Sequence, residues 1–257
     1  MLKLNSEFGS LKAVIIHRPG DEIESLTPAN RLEFLFEDVP FLEEIQREHD
    51  QFVSTIKLAT QAKVFRLKNL LTDVLKNETI KAEAIKSALA YSNYQQYADD
   101  LLEQFTLAEC ANFLIGGMRA RDMKRKLNIR IDDREPHDFI INPSPNSYFM
   151  RDPAAIIQSG VVMSHMKFPG RQRESDIMRA IFNHHPLFKD HFEEAYPNSP
   201  QNEIDVPNIE GGDIIVLSDK ALAIGNSERT DTEAIQRVAR HVLKNSGVER
   251  VYEVQLP

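Results

Sequence analysis

The sequence is poor in cysteine, with one thiol in 257 residues, and has no tryptophan. A single thiol, Cys110, cannot form an intrachain disulfide, which excludes a secreted disulfide scaffold and leads us to expect a cytoplasmic location. No apolar run approaches the ~20 residues that span a bilayer. The first residues, MLKLNSEFGS, do not show the charged-then-apolar pattern of a signal peptide. We therefore expect no membrane partner.

Basic residues are also the minority among charged residues, with 31 Lys and Arg against 39 Asp and Glu and a net charge of −8. This balance argues against a general nucleic-acid binder. The sequence contains neither a phosphate-binding loop nor a dinucleotide fingerprint. His184, His185 and His191, in HHPLFKDH, lack a compelling metal-ligand pattern, which favours a loop or surface role for them.

The hydrophobic patterns predict an α/β protein with a helical segment inside it. Residues 11–16 and 63–67 have the pattern of short strands, and residues 40–59 that of an amphipathic helix between them. From about residue 69 to 134, apolar residues recur at helical spacing and strand patterns disappear. We therefore predict an α/β core at 1–68 and 135–257, interrupted by an all-helical insertion at 69–134.

An internal repeat follows the helical segment. Two hairpin patterns begin after Asp152 and Asp213, and each leads to an Arg-bearing segment, a helical run (174–182 and 230–244) and another strand (203–206 and 250–254). The repeated motif is therefore ββαβ, about sixty residues long. The opening strand, helix and strand resemble a further copy, which predicts about three motifs that leave sheet edges exposed.

Three sets of residues in the repeats could bind a ligand. Asp152 lies in the turn-rich run PNSYFMRDP, where its carboxylate either closes an Asx-turn or faces a pocket. Glu210 and Asp213 flank two glycines, which either form a hairpin bulge or let the backbone approach a ligand closely.

The third set consists of the arginines Arg171, Arg173 and Arg229. One arginine at such a place usually pairs with a surface acid, but arginines at equivalent places in two copies favour an inward orientation. Paired acids bind a guanidinium and paired arginines bind a carboxylate. A molecule shaped like free arginine would satisfy both.

Several motifs together resemble the arginine deiminase family along the whole chain: FGSLKAVIIHRPG, LTPAN with LFEDVP, EHD at 48–50, PNSYFMRDP, IEGGD and GNSERT. The resemblance implies a pseudo-fivefold α/β-propeller of the guanidino-group-modifying superfamily, here incomplete with about three motifs. It also implies hydrolysis of L-arginine to L-citrulline and ammonia without a metal or organic cofactor. Members of the family form homo-oligomers.

The resemblance also implies roles for single residues. Asp152 and Glu210 would hold the substrate guanidinium, and Glu210 would assist proton transfer. Arg171 and Arg229 would bind the substrate carboxylate, with Arg173 as the alternative to Arg171. The remaining substrate-binding residues would be Asn146, Phe149 and Asp213, with Phe149 against the methylene chain.

The family's nucleophile is a cysteine, assisted by a histidine, and neither of their motifs occurs in this chain. Cys110 lies in the apolar run LAECANFLIGG, which predicts a buried structural thiol. We therefore expect that the chain alone does not hydrolyse arginine. The alternatives are a non-catalytic arginine-binding or regulatory fragment, and one half of a split enzyme.

Overall fold

The computed structural model describes residues 2–196 and 206–256, and its secondary structure is α/β. The chain divides into two halves: a helix-rich half, Leu11–Tyr148, and a hairpin half, which combines Met1–Ser10 with Phe149–Pro257. None of the helices in the described residues has the length and apolar character needed to cross a membrane.

The helix-rich half begins with a β-α-β arrangement. Strand β1 (Ala13–Ile16) pairs in parallel with β2 (Lys63–Arg66), and between them lie the short helix α1 (Asp21–Glu24) and the long helix α2 (Leu42–Thr60). The predicted strands and helix are confirmed to within about two residues. Helix α2 ends where Gln61 adopts a left-handed conformation, a common way to terminate a helix.

Five further helices and one small sheet complete this half. They are α3 (Leu67–Val74), α4 (Glu78–Ala90), α5 (Ala98–Gln104), α6 (Leu107–Gly116) and α7 (Ala120–Leu127), with β3 (Met118–Arg119) antiparallel to β4 (Phe139–Ile141). A capping box at the start of α6, in which Thr106 and Glu109 bond each other's backbone, fixes where that helix begins. The predicted helical character of this segment is confirmed, apart from β3.

The hairpin half contains two copies of one motif. The first is β5 (Ala154–Ile157), β6 (Gly160–Met163), α8 (Gln172–His184) and β7 (Glu193–Glu194); the second is β8 (Ile214–Ser218), β9 (Ala221–Asn226), α9 (Thr232–Asn245) and β10 (Arg250–Gln255). In each copy the hairpin is antiparallel and the last strand pairs in parallel with the second hairpin strand. The predicted ββαβ repeat is therefore confirmed for these two copies.

The remaining predictions about the repeat are less complete. The strand predicted at 203–206 lies outside the described residues except for Val206, and β7 occupies its place in the sheet. In the opening copy, β1 pairs only with β2 within the described residues, so this copy shows no hairpin. That the chain contains about three motifs stays a prediction. Its division into an α/β core and a helical insertion also stays a prediction.

Both repeats contribute to one core of the hairpin half. Ala155 and Val162 come from the first copy, and Val216, Leu222 and Val238 from the second; all five are fully buried. They occupy alternating strand positions and one face of α9, as the hydrophobic pattern requires. This shared core holds the beginnings of β5 and β8 close together, which is where the candidate site lies.

Candidate functional site

Asp152 lies in the tight turn before β5. Its backbone carbonyl accepts hydrogen bonds from the Gly211 amide at 2.8 Å and from the Ser164 hydroxyl at 2.5 Å. Its carboxylate accepts a hydrogen bond from the Arg171 side chain at 3.0 Å. Among the described residues the carboxylate has no backbone donor, so the structure shows an ion pair and not an Asx-turn at this position.

The two glycines after Glu210 are needed for close packing. A methyl group at Gly211 would lie 2.2 Å from the carbonyl oxygen of Arg151, and one at Gly212 would lie 2.6 Å from Oδ1 of Asp152. Neither position tolerates a side chain without a shift. The glycines therefore bring Glu210 next to Asp152.

Arg171 joins the acids of both repeats. Its side chain is 2% exposed, and its guanidinium donates to Asp152 at 3.0 Å, to Glu210 at 3.3 Å and to Glu174 at 2.8 and 3.2 Å. These bonds use four of its five N–H groups, leaving one on Nη1. We call Arg171 and these three acids the Arg171 cluster.

Three carboxylates around one buried cation compete for ionisation. Burial raises the pKa of Glu174 to about 7 against the attraction of Arg171, and repulsion from Asp152 and Glu210 adds to the rise. Burial likewise raises the pKa of Glu210, although Arg171 and Arg229 oppose it. The pKa of Arg171 is raised because the carboxylates, Glu174 foremost, outweigh the effect of burial. The cluster therefore holds a proton readily.

Arg229 approaches Glu210 from the other repeat. Its Nη1 lies 3.4 Å from Oε2 of Glu210, the oxygen that Arg171 also contacts, and its guanidinium lies 5.5 Å above the ring of Phe168. The side chain of Arg229 is 39% exposed, so it retains donors that face solvent. The two arginines predicted from the repeat thus meet at one carboxylate.

Asp213, the repeat counterpart of Asp152, bonds to the loop that carries Arg229. It accepts hydrogen bonds from the hydroxyls of Ser227 at 2.7 Å and Thr230 at 2.6 Å, and Thr230 accepts one from the Glu210 amide at 3.1 Å. Neither hydroxyl caps α9, whose N-cap is Asp231. These bonds position Glu210 and Arg229 relative to each other.

The other predicted residues are Asn146, Phe149 and Arg173. Asn146 belongs to the helix-rich half, where its buried amide donates to the carbonyl of Phe34 at 2.8 Å. Phe149 is 44% exposed, and Arg173 is buried on α8. Arg171 is the arginine that the structure shows in contact with Asp152 and Glu210. The substrate roles of all these residues stay predictions.

Cys110 is fully buried in α6 of the helix-rich half, and burial raises the pKa of its thiol. A thiol in such surroundings is a poor nucleophile. This agrees with the predicted structural role.

Sequence reasoning missed Glu174 and the hydroxyl residues that hold the loops. The signal for Glu174 was its spacing from Arg171, because residues three apart at the start of a helix lie on one face. Ser164 and Thr230 are buried, but nothing in the sequence distinguishes them from the serines and threonines of ordinary surface loops.

Comparison with known proteins gives one consistent result. A family model described as arginine deiminase matches residues 32–257. Arginine deiminases of Limosilactobacillus fermentum and Limosilactobacillus reuteri are 36% and 37% identical over 263 residues, and that of Staphylococcus aureus is 35% identical over 268. Each alignment covers 100% of this chain, and the chain spans about 63% of the length of these curated relatives.

Two solved structures share the fold. A dimethylarginine dimethylaminohydrolase from Pseudomonas aeruginosa, complexed with citrulline, is 14% identical with a TM-score of 0.52, covering 97% of this chain and 62% of that one. Another dimethylarginine dimethylaminohydrolase is 12% identical with a TM-score of 0.50, covering 96% of this chain and 61% of that one. At these identities the likeness concerns the fold alone.

Proposed function

The chain belongs to the arginine deiminase family, and from this premise we propose that a protein carrying it hydrolyses L-arginine to L-citrulline and ammonia. In this proposal the chain supplies the residues that bind the substrate and orient its guanidinium. We also propose that the complete enzyme is cytoplasmic and that it forms homo-oligomers.

Two carboxylate oxygens that accept no hydrogen bond among the described residues support this proposal. Oε1 of Glu210 is buried and has no hydrogen-bond partner among the described residues. The Asp152 side chain is 21% exposed; its Oδ2 accepts the bond from Arg171, and its Oδ1 accepts none among the same residues. A buried acceptor without a donor costs about 1–3 kcal/mol. The N–H groups of a substrate guanidinium would satisfy both oxygens.

The other end of L-arginine carries a carboxylate, which needs cationic donors. Arg229 retains solvent-facing donors next to Glu210, and it is the residue that we propose binds this carboxylate. Arg171 has one N–H left and primarily holds the three acids in place. A decarboxylated substrate such as agmatine would leave Arg229 without its partner, which favours L-arginine.

Proton transfer in this proposal falls to Glu210. Its raised pKa brings the carboxylate closer to the pH of the cytoplasm, where a general acid or base works best. It would take a proton from the attacking water and pass one to the leaving ammonia. Asp152, bonded to Arg171, would stay ionised and hold the guanidinium cation.

In the family's chemistry a cysteine thiolate attacks the guanidinium carbon, ammonia leaves, and water releases citrulline. Cys110 does not fit this role, because its thiol is fully buried within α6 and burial raises its pKa. We therefore propose that the nucleophile comes from outside the 257 residues, on the same polypeptide or on a second one. The chain alone should then bind L-arginine without converting it.

Calorimetry on the purified chain tests this proposal. We expect L-arginine to bind more tightly than agmatine or L-citrulline, with binding weakened at least tenfold in Glu210→Gln. The matched control is Glu233→Gln, which removes an exposed acid on α9 that pairs with its helix neighbour Arg237. Equal affinity for all three compounds, or equal affinity in Glu210→Gln, would contradict the assignment of the site.

A citrulline assay separates the remaining alternatives. If the chain alone formed citrulline and Asp152→Ala abolished this activity, the proposal that the chain lacks the nucleophile would be refuted. Tight binding with no turnover, even in a protein that includes the family's cysteine and histidine segments, would favour the non-catalytic arginine-binding module. Turnover restored by adding a second polypeptide with those segments would identify a split enzyme.

A further inference from the structure

A cavity of about 290 Å³ lies within the helix-rich half, and none of its lining residues belongs to the Arg171 cluster. It is bounded by the loop after β1, the first turns of α1 and α3, and the end of α6. We propose that this cavity binds a small oxyanion, a phosphate or a carboxylate. The residues on which this proposal rests are Arg18, Asp21, Arg66, Lys68, Asn69 and Asn112.

Two ion pairs in the cavity wall are already complete. Arg18 donates to both carboxylate oxygens of Asp50 at 2.9 to 3.0 Å. The buried carboxylate of Glu22 lies 2.9 Å from the His17 ring and accepts the Gly20 amide at 2.5 Å. Neither pair therefore needs a ligand.

Two other cations have no such partner. Arg66, half-buried at the end of β2, and Lys68, exposed in the first turn of α3, make no hydrogen bond or ion pair through their side chains within the described ranges 2–196 and 206–256. Arg66 interacts with Asp50 only through space, since Arg18 occupies both oxygens of that carboxylate. Asp21 is the single acid lining the cavity that also lacks a partner there, so the unpaired cations outnumber the unpaired acids.

The surroundings of these cations suit an oxyanion. An arginine offers a planar fork of donors and a lysine a mobile point charge, and the two together can hold the oxygens of one phosphate or carboxylate. The first turn of α3 adds peptide N–H groups, since it has no side-chain cap and no acidic residue. Asn69 and Asn112 line the same cavity and supply uncharged donors.

The size of the cavity limits the ligand to a small molecule. Cavities of roughly 300 Å³ lie at the lower end of small-molecule sites, which leaves room for an oxyanion with a compact polar body. Leu67, Ala111 and Ile115 give part of the wall an aliphatic surface, against which the carbon atoms of such a molecule would pack. A lipid or an extended peptide does not fit this chemistry.

The test is a titration of the purified chain with inorganic phosphate and, separately, with acetate, at constant ionic strength and followed by NMR. We expect saturable binding at one site, with shifts at the amides of residues 67–69. Tighter binding of phosphate would identify a phosphate ligand, and tighter binding of acetate a carboxylate ligand. Failure of both anions to saturate would overturn the proposal.

Variants show whether the binding occurs at this cavity. Arg66→Gln combined with Lys68→Gln should weaken binding at least about tenfold, since both charged donors are lost. The matched control is Lys57→Gln, which removes an exposed lysine from α2 outside the cavity. Circular dichroism confirms that each variant is folded. Unchanged affinity in the double variant, or an equal loss in Lys57→Gln, would refute the site, and neither result bears on L-arginine binding by the Arg171 cluster.

Discussion

The guanidinium of Arg171 meets the carboxylate of Glu174 side-on, with Nε 3.2 Å from Oε1 and Nη2 2.8 Å from Oε2. Their side chains are 2% and 1% exposed, so the pair is shielded from water. A buried pair of this kind contributes little net stability, but removal of one partner leaves an uncompensated charge. Here the pair also fixes where Asp152 and Glu210 lie.

Arg171→Met should strongly destabilise the protein. Methionine fills a similar volume, but Asp152 and Glu174 then lose the cation they share, and Glu210 keeps Arg229 alone. We expect the free energy of unfolding to fall by about 3–5 kcal/mol, measured by urea denaturation. The control is Arg125→Met, which breaks an exposed pair with Asp122 and should change stability by no more than about 0.5 kcal/mol. A similar small loss in both variants would show that the acids of the cluster do not depend on Arg171.

The pH dependence of stability should reveal Glu174. Its pKa lies near 7 in the folded chain against an ordinary value of 4.5, because burial disfavours the charged form. The folded chain therefore binds more protons than the unfolded chain between these values, and the free energy of unfolding falls as pH rises. The contribution is complete below pH 4.5 and is lost as pH rises through about 7, with a slope of at most about 1.4 kcal/mol per pH unit.

Glu174→Gln isolates that contribution, because glutamine keeps an acceptor oxygen and cannot ionise. Between pH 4.5 and 7 the stability of this variant should fall less steeply than that of the unmodified chain. Some slope should remain, since the pKa of Glu210 is also raised. Glu233→Gln, on the exposed face of α9, should leave the slope unchanged. Identical slopes in Glu174→Gln and the unmodified chain would exclude Glu174 as the titrating group.

Hydrophobic pattern predicted most of the regular structure because the period of apolar residues alone indicates the element. In the two hairpins the apolar positions pack into a shared core, whereas helix α2 shows the helical period although Val53 is its one fully buried residue. Strand β7 could not be found in this way, since its two residues, Glu193 and Glu194, show no apolar pattern. Its position depends on pairing with β6, a tertiary contact that one sequence does not reveal.

The site shows a similar limit. The repeat predicted that acids and arginines from two motifs converge, and the structure places Arg171 and Arg229 at one oxygen of Glu210. The repeat could not predict that most N–H groups of Arg171 would bond to the acids, because that depends on how deeply the side chain is buried. Glu174 was overlooked for the same reason: a glutamate near the start of a helix normally faces solvent.

Gly211→Ala should disrupt the contact between the two repeats. The added methyl group would lie 2.2 Å from the carbonyl oxygen of Arg151 and 3.1 Å from Cβ of Ala155, so the backbone must move. We expect a loss of stability of at least about 1–3 kcal/mol, the usual cost of overpacking, in urea denaturation. Gly9→Ala is the control, since its methyl group would meet no atom closer than 3.6 Å. Equal stability in the two variants would show that the turn before β8 is not closely packed.

Cys110 should react slowly with thiol reagents in the folded chain. The thiol is fully buried in α6, and burial raises its pKa, so both access and thiolate population are low. Ellman's reagent should therefore label the native chain at least a hundredfold more slowly than the chain in urea. In a complete enzyme, Cys110→Ala should leave citrulline formation unchanged. Fast native labelling that L-arginine suppresses would contradict both the structural role of this thiol and the proposal that the nucleophile lies outside the 257 residues.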